Sequence, residues 1–257
     1  MNLKFPWARK FVRSPYLDLF GAALILVISI TRNFQGTMYK SGEIIFNVPL
    51  INLSDQMAEG AFPLGLVSIL SAMFSLLSTR FIGKQSNIGN IIGVFTTITA
   101  GTIDYLFGNA SAIITYPSTF IIMNFAVFNW AKGEKIKKLD WKYYTIMAGG
   151  IALGFALVYL GASLFGGRTD TLFLNTVAIT FGISIGANIS SALKYEETWL
   201  SWMIYNIVQL TKNALQFNYA NVAKYIFYMI NAIVTLVDWK FNGDRSLSDL
   251  STQLKGN

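Results

Sequence analysis

Residues 196–213 read EETWLSWMIYNIVQLTKN. On a helix, at about 100° per residue, Trp199, Trp202, Asn206, Gln209 and Asn213 share one face within an arc of roughly 80°. Leu200, Ile204 and Val208 take the opposite side. The stripe is two indoles followed by three carboxamides. Indoles present flat π faces, and carboxamides carry donors and acceptors together. Such a surface suits a flat, polar small molecule, uncharged or cationic. The helix that carries it is expected to line a substrate path through a membrane.

Composition sets the solvent for that helix. Of 257 residues, 53% are hydrophobic and 13% charged, and the mean hydropathy is +0.47. A soluble domain carries about 25% charged residues. The apolar residues fall in long runs, as in a polytopic membrane protein. There is no cysteine and no histidine. That removes disulfides, thiolate nucleophiles, imidazole acid–base chemistry and most transition-metal sites. No metal, cofactor or catalytic residue is expected. The first apolar run follows Lys4, Arg9, Lys10 and Arg13, but no small-residue cleavage site follows Ile30. It reads as a membrane helix with its amino terminus inside, not as a cleaved signal.

Residues 1–15 are basic and aromatic and suit the membrane surface. Eight spans are expected, at about Tyr16–Thr31, Ala61–Ser78, Ile88–Phe107, Ala110–Trp130, Tyr143–Phe165, Thr171–Leu193, Thr198–Phe217 and Tyr219–Trp239. Residues 32–60 read as a polar connection. Lys and Arg then distribute fifteen to one side and three (Arg32, Lys40, Arg168) to the other, with Lys212 and Lys224 inside spans. This bias places both termini in the cytoplasm. It also accounts for the net charge of +7 without nucleic acid.

The fourth and eighth spans resemble each other at an offset of 109: Asn109 matches Asn218, Tyr116 matches Tyr225, and Trp130 matches Trp239. The orientations fit two parallel three-helix repeats around one inverting helix, an architecture whose site lies between the halves. The expected organisation is thus 1–60, a surface segment, first span and outer loop; 61–130, the first repeat; 131–170, a cytoplasmic loop and linker helix; 171–240, the second repeat; and 241–257, a cytoplasmic tail. Further polar faces lie on the third span (Asn90, Thr97, Gly101, Asp104) and the eighth (Asn221, Lys224, Tyr228, Asn231, Thr235). Mid-membrane carboxamides such as Asn90 and Asn124 also serve as interhelical hydrogen-bonding groups. Trp130, Trp141 and Trp239 read as interfacial belt residues. Lys212 and Lys224 read as snorkelling, with Asp104 at a depth to pair with one of them. Gly182, Gly186 and Ser190 form a close-packing ridge, and Pro117 is expected to kink the fourth span.

The run Glu197-x-Trp199-x-x-Trp202-x-x-x-Asn206 on the penultimate span resembles the PnuC family of bacterial vitamin transporters. The last span, with its mid-helix Asn231 and terminal Trp239, and the Asn90 and Asn124 spans fit the same family. The resemblance covers about residues 61–240; residues 1–60 depart from it. It implies an all-α, three-plus-one-plus-three fold distantly related to the SWEET sugar transporters, with one extra amino-terminal helix. It further implies a homotrimer in the inner membrane that takes up nicotinamide riboside. The expected substrate-binding residues are Trp199, Trp202, Asn206, Gln209, Asn124, Tyr228, Asn231 and Asn90. With no histidine and no mid-membrane acidic pair, facilitated diffusion with trapping by a cytoplasmic kinase is expected. Thiamine or another nucleoside on the same scaffold is the alternative. An intramembrane enzyme finds no catalytic constellation, and a channel would show conductance without saturation.

Overall fold

The computed structural model describes residues 4–133 and 135–243. The expectations for the tail, including Arg245 and Lys255, lie outside the described residues. Among those described, ten helices follow in order: α1 (Pro6–Arg13), α2 (Pro15–Thr31), α3 (Leu53–Ala58), α4 (Leu64–Gly83), α5 (Ile88–Leu106), α6 (Ala112–Ala131), α7 (Trp141–Phe165), α8 (Thr171–Ala192), α9 (Thr198–Leu215) and α10 (Tyr219–Asn242). Short polar side chains set several starts by accepting from a backbone N–H of the first turn. Asp140 accepts from Tyr143 at 3.1 Å, Asp170 from Phe173 at 3.1 Å, and Asn218 from Asn221 at 3.2 Å.

α4, α6, α7, α8 and α10 are long and apolar enough to cross a membrane, and α1 with α2, bent by 54°, adds a sixth if the two are taken as one broken span. α5 and α9 are similar in length, at 19 and 18 residues, but polar side chains dilute them. The region 32–60 departs from a plain connection. It holds a small antiparallel hairpin, β1 (Met38–Lys40) against β2 (Glu43–Ile45). Ser41 and Gly42 both take positive φ, 53° and 93°, the geometry of a two-residue hairpin turn. Three-residue strands are too short to leave a period-two pattern in the sequence.

α7 lies closest to α8. A Cβ added at Gly154 would sit 2.2 Å from the Gly182 Cα, and one at Gly150 would sit 2.6 Å from the Gly186 nitrogen. The glycine ridge therefore does what its spacing suggests, with matching glycines on the facing helix. α10 packs against α1, α2, α4 and α9. Its Ala220, Ala223 and Phe227 join Leu17, Ile25, Leu64 and Leu76 in one apolar cluster.

Two tryptophans expected at the membrane interface are core residues instead. Trp130 is 5% exposed and Trp239 fully buried. Each indole N–H donates across the bundle at 2.9 Å, Trp130 to the Ser191 carbonyl and Trp239 to the Gly83 carbonyl. Both carbonyls lie at helix ends: that of Ser191 also accepts from the Lys194 N–H at 3.0 Å, whereas that of Gly83 has no other donor among the described residues. Trp141, by contrast, is 70% exposed. Lys212 does not snorkel either. Its Nζ donates to Asp104 Oδ2 at 2.9 Å inside the protein, the pairing anticipated for one of the two lysines. α6 runs through Pro117 as one helix.

Candidate functional site

A cavity of about 170 Å³ lies where α4, α5, α6, α8, α9 and α10 meet. None of its lining residues comes from α2 or α7. From α9 come Trp199, Trp202, Tyr205 and Asn206; from α10 come Lys224, Tyr225 and Tyr228. A run of edge-to-face rings follows this wall. Trp202 meets Tyr205 at 5.1 Å, Tyr205 meets Tyr225 at 6.0 Å, and Tyr225 meets Tyr228 at 5.7 Å. The lining also includes the small polar groups Ser75, Ser78 and Thr79 of α4 and Asn90, Thr96 and Thr97 of α5.

The structure brings five of the eight expected residues to this cavity: Trp199, Trp202, Asn206, Tyr228 and Asn90. Asn206 is 2% exposed, and its Oδ1 has no hydrogen-bond partner among the described residues; neither has Trp199 Nε1. A buried polar atom left unpaired costs about 1–3 kcal/mol, so an occupant that supplies partners is favoured. Tyr228 pairs its hydroxyl with Ser75 Oγ at 3.1 Å, and Asn90 donates to Asn87 Oδ1 at 2.9 Å.

Three expected residues sit elsewhere. Gln209 lines a neighbouring cavity of about 80 Å³ and donates to Tyr205 Oη at 2.6 Å. It thereby holds a cavity ring from behind. Asn124 lines no described cavity and donates to the Phe120 carbonyl of its own helix at 2.8 Å. Asn231 accepts from Arg80 Nη1 at 2.7 Å. Arg80 is 1% exposed. It also reaches Asp18 and the Val12 carbonyl, so it ties α4 and α10 to the α1–α2 elbow.

A charged network lies beside one end of the cavity, around an adjoining small void. Asp104 near the end of α5 accepts from Lys212 at 2.9 Å, Gln216 at 2.8 Å, Asn109 at 2.7 Å and Tyr116 at 3.3 Å. Its carboxylate is thus saturated and its charge matched by Lys212. Lys224 is different. It is 6% exposed, lines the main cavity, and has no hydrogen-bond or ion-pair partner among the described residues. Its Nζ lies 4.5 Å from the Tyr225 ring centroid and 5.8 Å from that of Tyr228. Such faces attract a cation by about 2 kcal/mol when desolvated. Removing an ammonium from water costs several kcal/mol, so the rings offset only part of that cost.

Tyr205, Ser75 and Ser78 did not stand out as site residues in the sequence. The serines had a signal: Ser68, Ser71, Ser75 and Ser78 recur every three or four residues of one helix. Tyr205 lies just off the indole–carboxamide arc and shows no periodicity of its own.

A bundle of long apolar helices that closes around a ring-lined cavity with a few polar groups suits a membrane protein that takes a small molecule. The family model described as nicotinamide mononucleotide transporter matches residues 65–241. The chain belongs to that family, the PnuC family of multi-pass membrane transporters. Its fold matches that in "Crystal structure of the Vitamin B3 transporter PnuC" with a TM-score of 0.58. The two are 16% identical, over 88% of this chain and 94% of the other. A comparison with curated proteins found no match.

Proposed function

We propose that the chain is a facilitative carrier for nicotinamide riboside or a close relative, and not an enzyme. The observation that carries this reading is the cavity itself. It takes its walls from α4–α6 and α8–α10, with α7 outside, as two three-helix repeats about a linker require. Family membership and the fold likeness to a vitamin B3 transporter support the same substrate class. A pyridinium ring is flat and cationic, so Trp202 and the tyrosines beside it hold it by stacking and cation–π attraction, about 1–2 kcal/mol when desolvated. Asn206 Oδ1 accepts from a ligand amide or hydroxyl. No carboxylate lines the cavity among the described residues, and Asp104 in the void beside it is already paired with Lys212, so nothing there is spare for a coupling cation. Uniport follows, with phosphorylation by a cytoplasmic kinase trapping the product.

In this reading all eight long helices span the inner membrane, and α5 and α9 are polar because they face the path rather than lipid. Both termini are cytoplasmic, following the lysine and arginine bias. Three copies assemble through faces remote from the cavity. Calorimetry of the purified protein against nicotinamide riboside, thiamine and uridine tests the substrate. Saturable binding of the riboside, weakened in Trp202→Ala and Asn206→Ala, is the expected result. Binding of thiamine instead would move the scaffold to that vitamin. Unchanged riboside affinity in both variants sinks the site.

A further inference from the structure

α1 lines no part of the cavity, and it lies ahead of the family match, which begins at residue 65. Its sequence makes it a separate element. Pro6 opens the helix, and Pro15 opens the next one. A proline biases the residue before it toward extended backbone, and Ser14 sits at φ −70° and ψ 127°. The chain therefore bends by 54° between α1 and α2.

One face of α1 is fastened to the bundle. Ala8 and Val12 are buried. Arg9 pairs with Asp238 of α10 at 2.7 Å. The Phe5 backbone and the Asn242 side chain exchange bonds at 3.3 and 2.8 Å. These contacts fix which face looks outward. On that face Trp7 and Phe11, one turn apart, are 49% and 53% exposed. At about 100° per residue, Lys10 falls beside Trp7 and Arg13 one step further round, away from Ala8 and Val12. Lys4, Lys10 and Arg13 are all exposed, and none has a hydrogen-bond or ion-pair partner among the described residues. The nearby acids are already engaged, Asp238 by Arg9 and Asp18 by Arg80 and Lys84.

Rings at the acyl boundary with cations at headgroup level are the arrangement of a helix lying in a membrane interface. An uncharged lipid satisfies the rings but leaves the three cations without counter-charge, whereas an anionic lipid answers both. We propose that the outward face of α1 binds anionic phospholipid, with Trp7 and Phe11 at the acyl boundary and Lys4, Lys10 and Arg13 on the acidic headgroups. The inference does not depend on what the cavity carries.

Trp7 is its own probe. Wild type and Trp7→Phe are reconstituted in phosphatidylcholine bilayers that contain a small fraction of brominated phosphatidylglycerol or of brominated phosphatidylcholine. The difference between the two proteins' emission isolates the quenching of Trp7. At equal mole fraction the anionic lipid should quench Trp7 on the order of twofold more strongly. The excess should vanish in about 1 M salt, where the screening length is about 3 Å. It should also vanish in the triple variant Lys4→Gln, Lys10→Gln, Arg13→Gln, which removes no contact within the protein. Should that variant fail to fold, the wild-type excess and its loss in salt still decide. Equal quenching by the two lipids overturns the proposal, and so does an excess that survives in the triple variant. Quenching by neither lipid overturns it too, and places water or a second copy of the chain over this face.

Discussion

Trp130 and Trp239 make matching indole-to-carbonyl bonds from neighbouring positions in one core cluster. Each lies near the end of its helix, α6 or α10, and each donates its indole N–H at 2.9 Å to a carbonyl near the end of another, α8 or α4. Their ring centroids are 6.1 Å apart. The acceptors, Ser191 and Gly83, are separated by 108 residues and the donors by 109. Two equivalent bonds, exchanged between the helices before α7 and those after it, support the reading of an internal repeat.

Equivalence can be measured. Trp130→Phe and Trp239→Phe each keep a ring and remove one buried bond. Trp239→Phe leaves the Gly83 carbonyl unpaired and should cost about 1–3 kcal/mol, whereas Trp130→Phe leaves the Ser191 carbonyl its bond from the Lys194 N–H and should cost about 1 kcal/mol. Thermal unfolding in detergent should show a loss for both, the larger for Trp239→Phe. The double variant should deviate from additivity, since the rings touch. A large loss in one variant and none in the other argues against structural equivalence.

Asn206 and Asn231 look alike in the sequence, both mid-helix amides, but should respond differently to Ala. Asn206→Ala removes an acceptor that has no partner among the described residues. Ligand affinity should fall while the unliganded protein stays as stable as before. Asn231→Ala deprives buried Arg80 of an acceptor. Stability should fall by about 1.5–3 kcal/mol, the range for bonds to charged groups, with ligand affinity kept. Reversed outcomes, read by calorimetry and thermal unfolding, would exchange the two roles.

That contrast marks where the sequence stops being readable. Periodicity places Trp199, Trp202 and Asn206 on one face, and the cavity lies against that face. The same method places Asn231 on a polar face of α10 without revealing Arg80, which is 151 residues away. Arg80 counts in the sequence only as one more inside charge. Trp130 and Trp239 mislead for a similar reason. A tryptophan at a span end suits the interface or a helix-end carbonyl equally, and only tertiary packing decides. Asn124 carries no mark that separates a cavity amide from one bonded to its own helix. Helix positions were legible because an apolar run of membrane length is a local property. The hairpin and the charged network depend on partners far along the chain.

Trp202 should tolerate Phe better than Ala. Phe keeps a π face beside Tyr205, now 5.1 Å away, whereas Ala removes the face and opens the wall. Ligand affinity should drop about tenfold in Trp202→Ala, from a stacking and cation–π contribution of about 1–2 kcal/mol, and less in Trp202→Phe. Equal affinity for all three proteins, by calorimetry, places the ring of the ligand elsewhere.

Asp104 and Lys212 join α5 to α9, with side chains only 7% and 5% exposed. Removing one partner of such a pair leaves a buried charge alone, at a cost of about 3–5 kcal/mol. Lys212→Met should therefore unfold at a much lower temperature. Asp104→Asn with Lys212→Met should recover most of the loss, because neither charge remains and Asn still bonds to Gln216. The pair also ties a helix before α7 to one after it. If the two sides must part for the cavity to open, the neutral double variant should transport faster than wild type in liposomes while binding ligand equally well. A double variant as slow as wild type assigns the ion pair to stability alone. One that stays as unstable as Lys212→Met shows that the lysine stem, not its charge, is what the fold needs there.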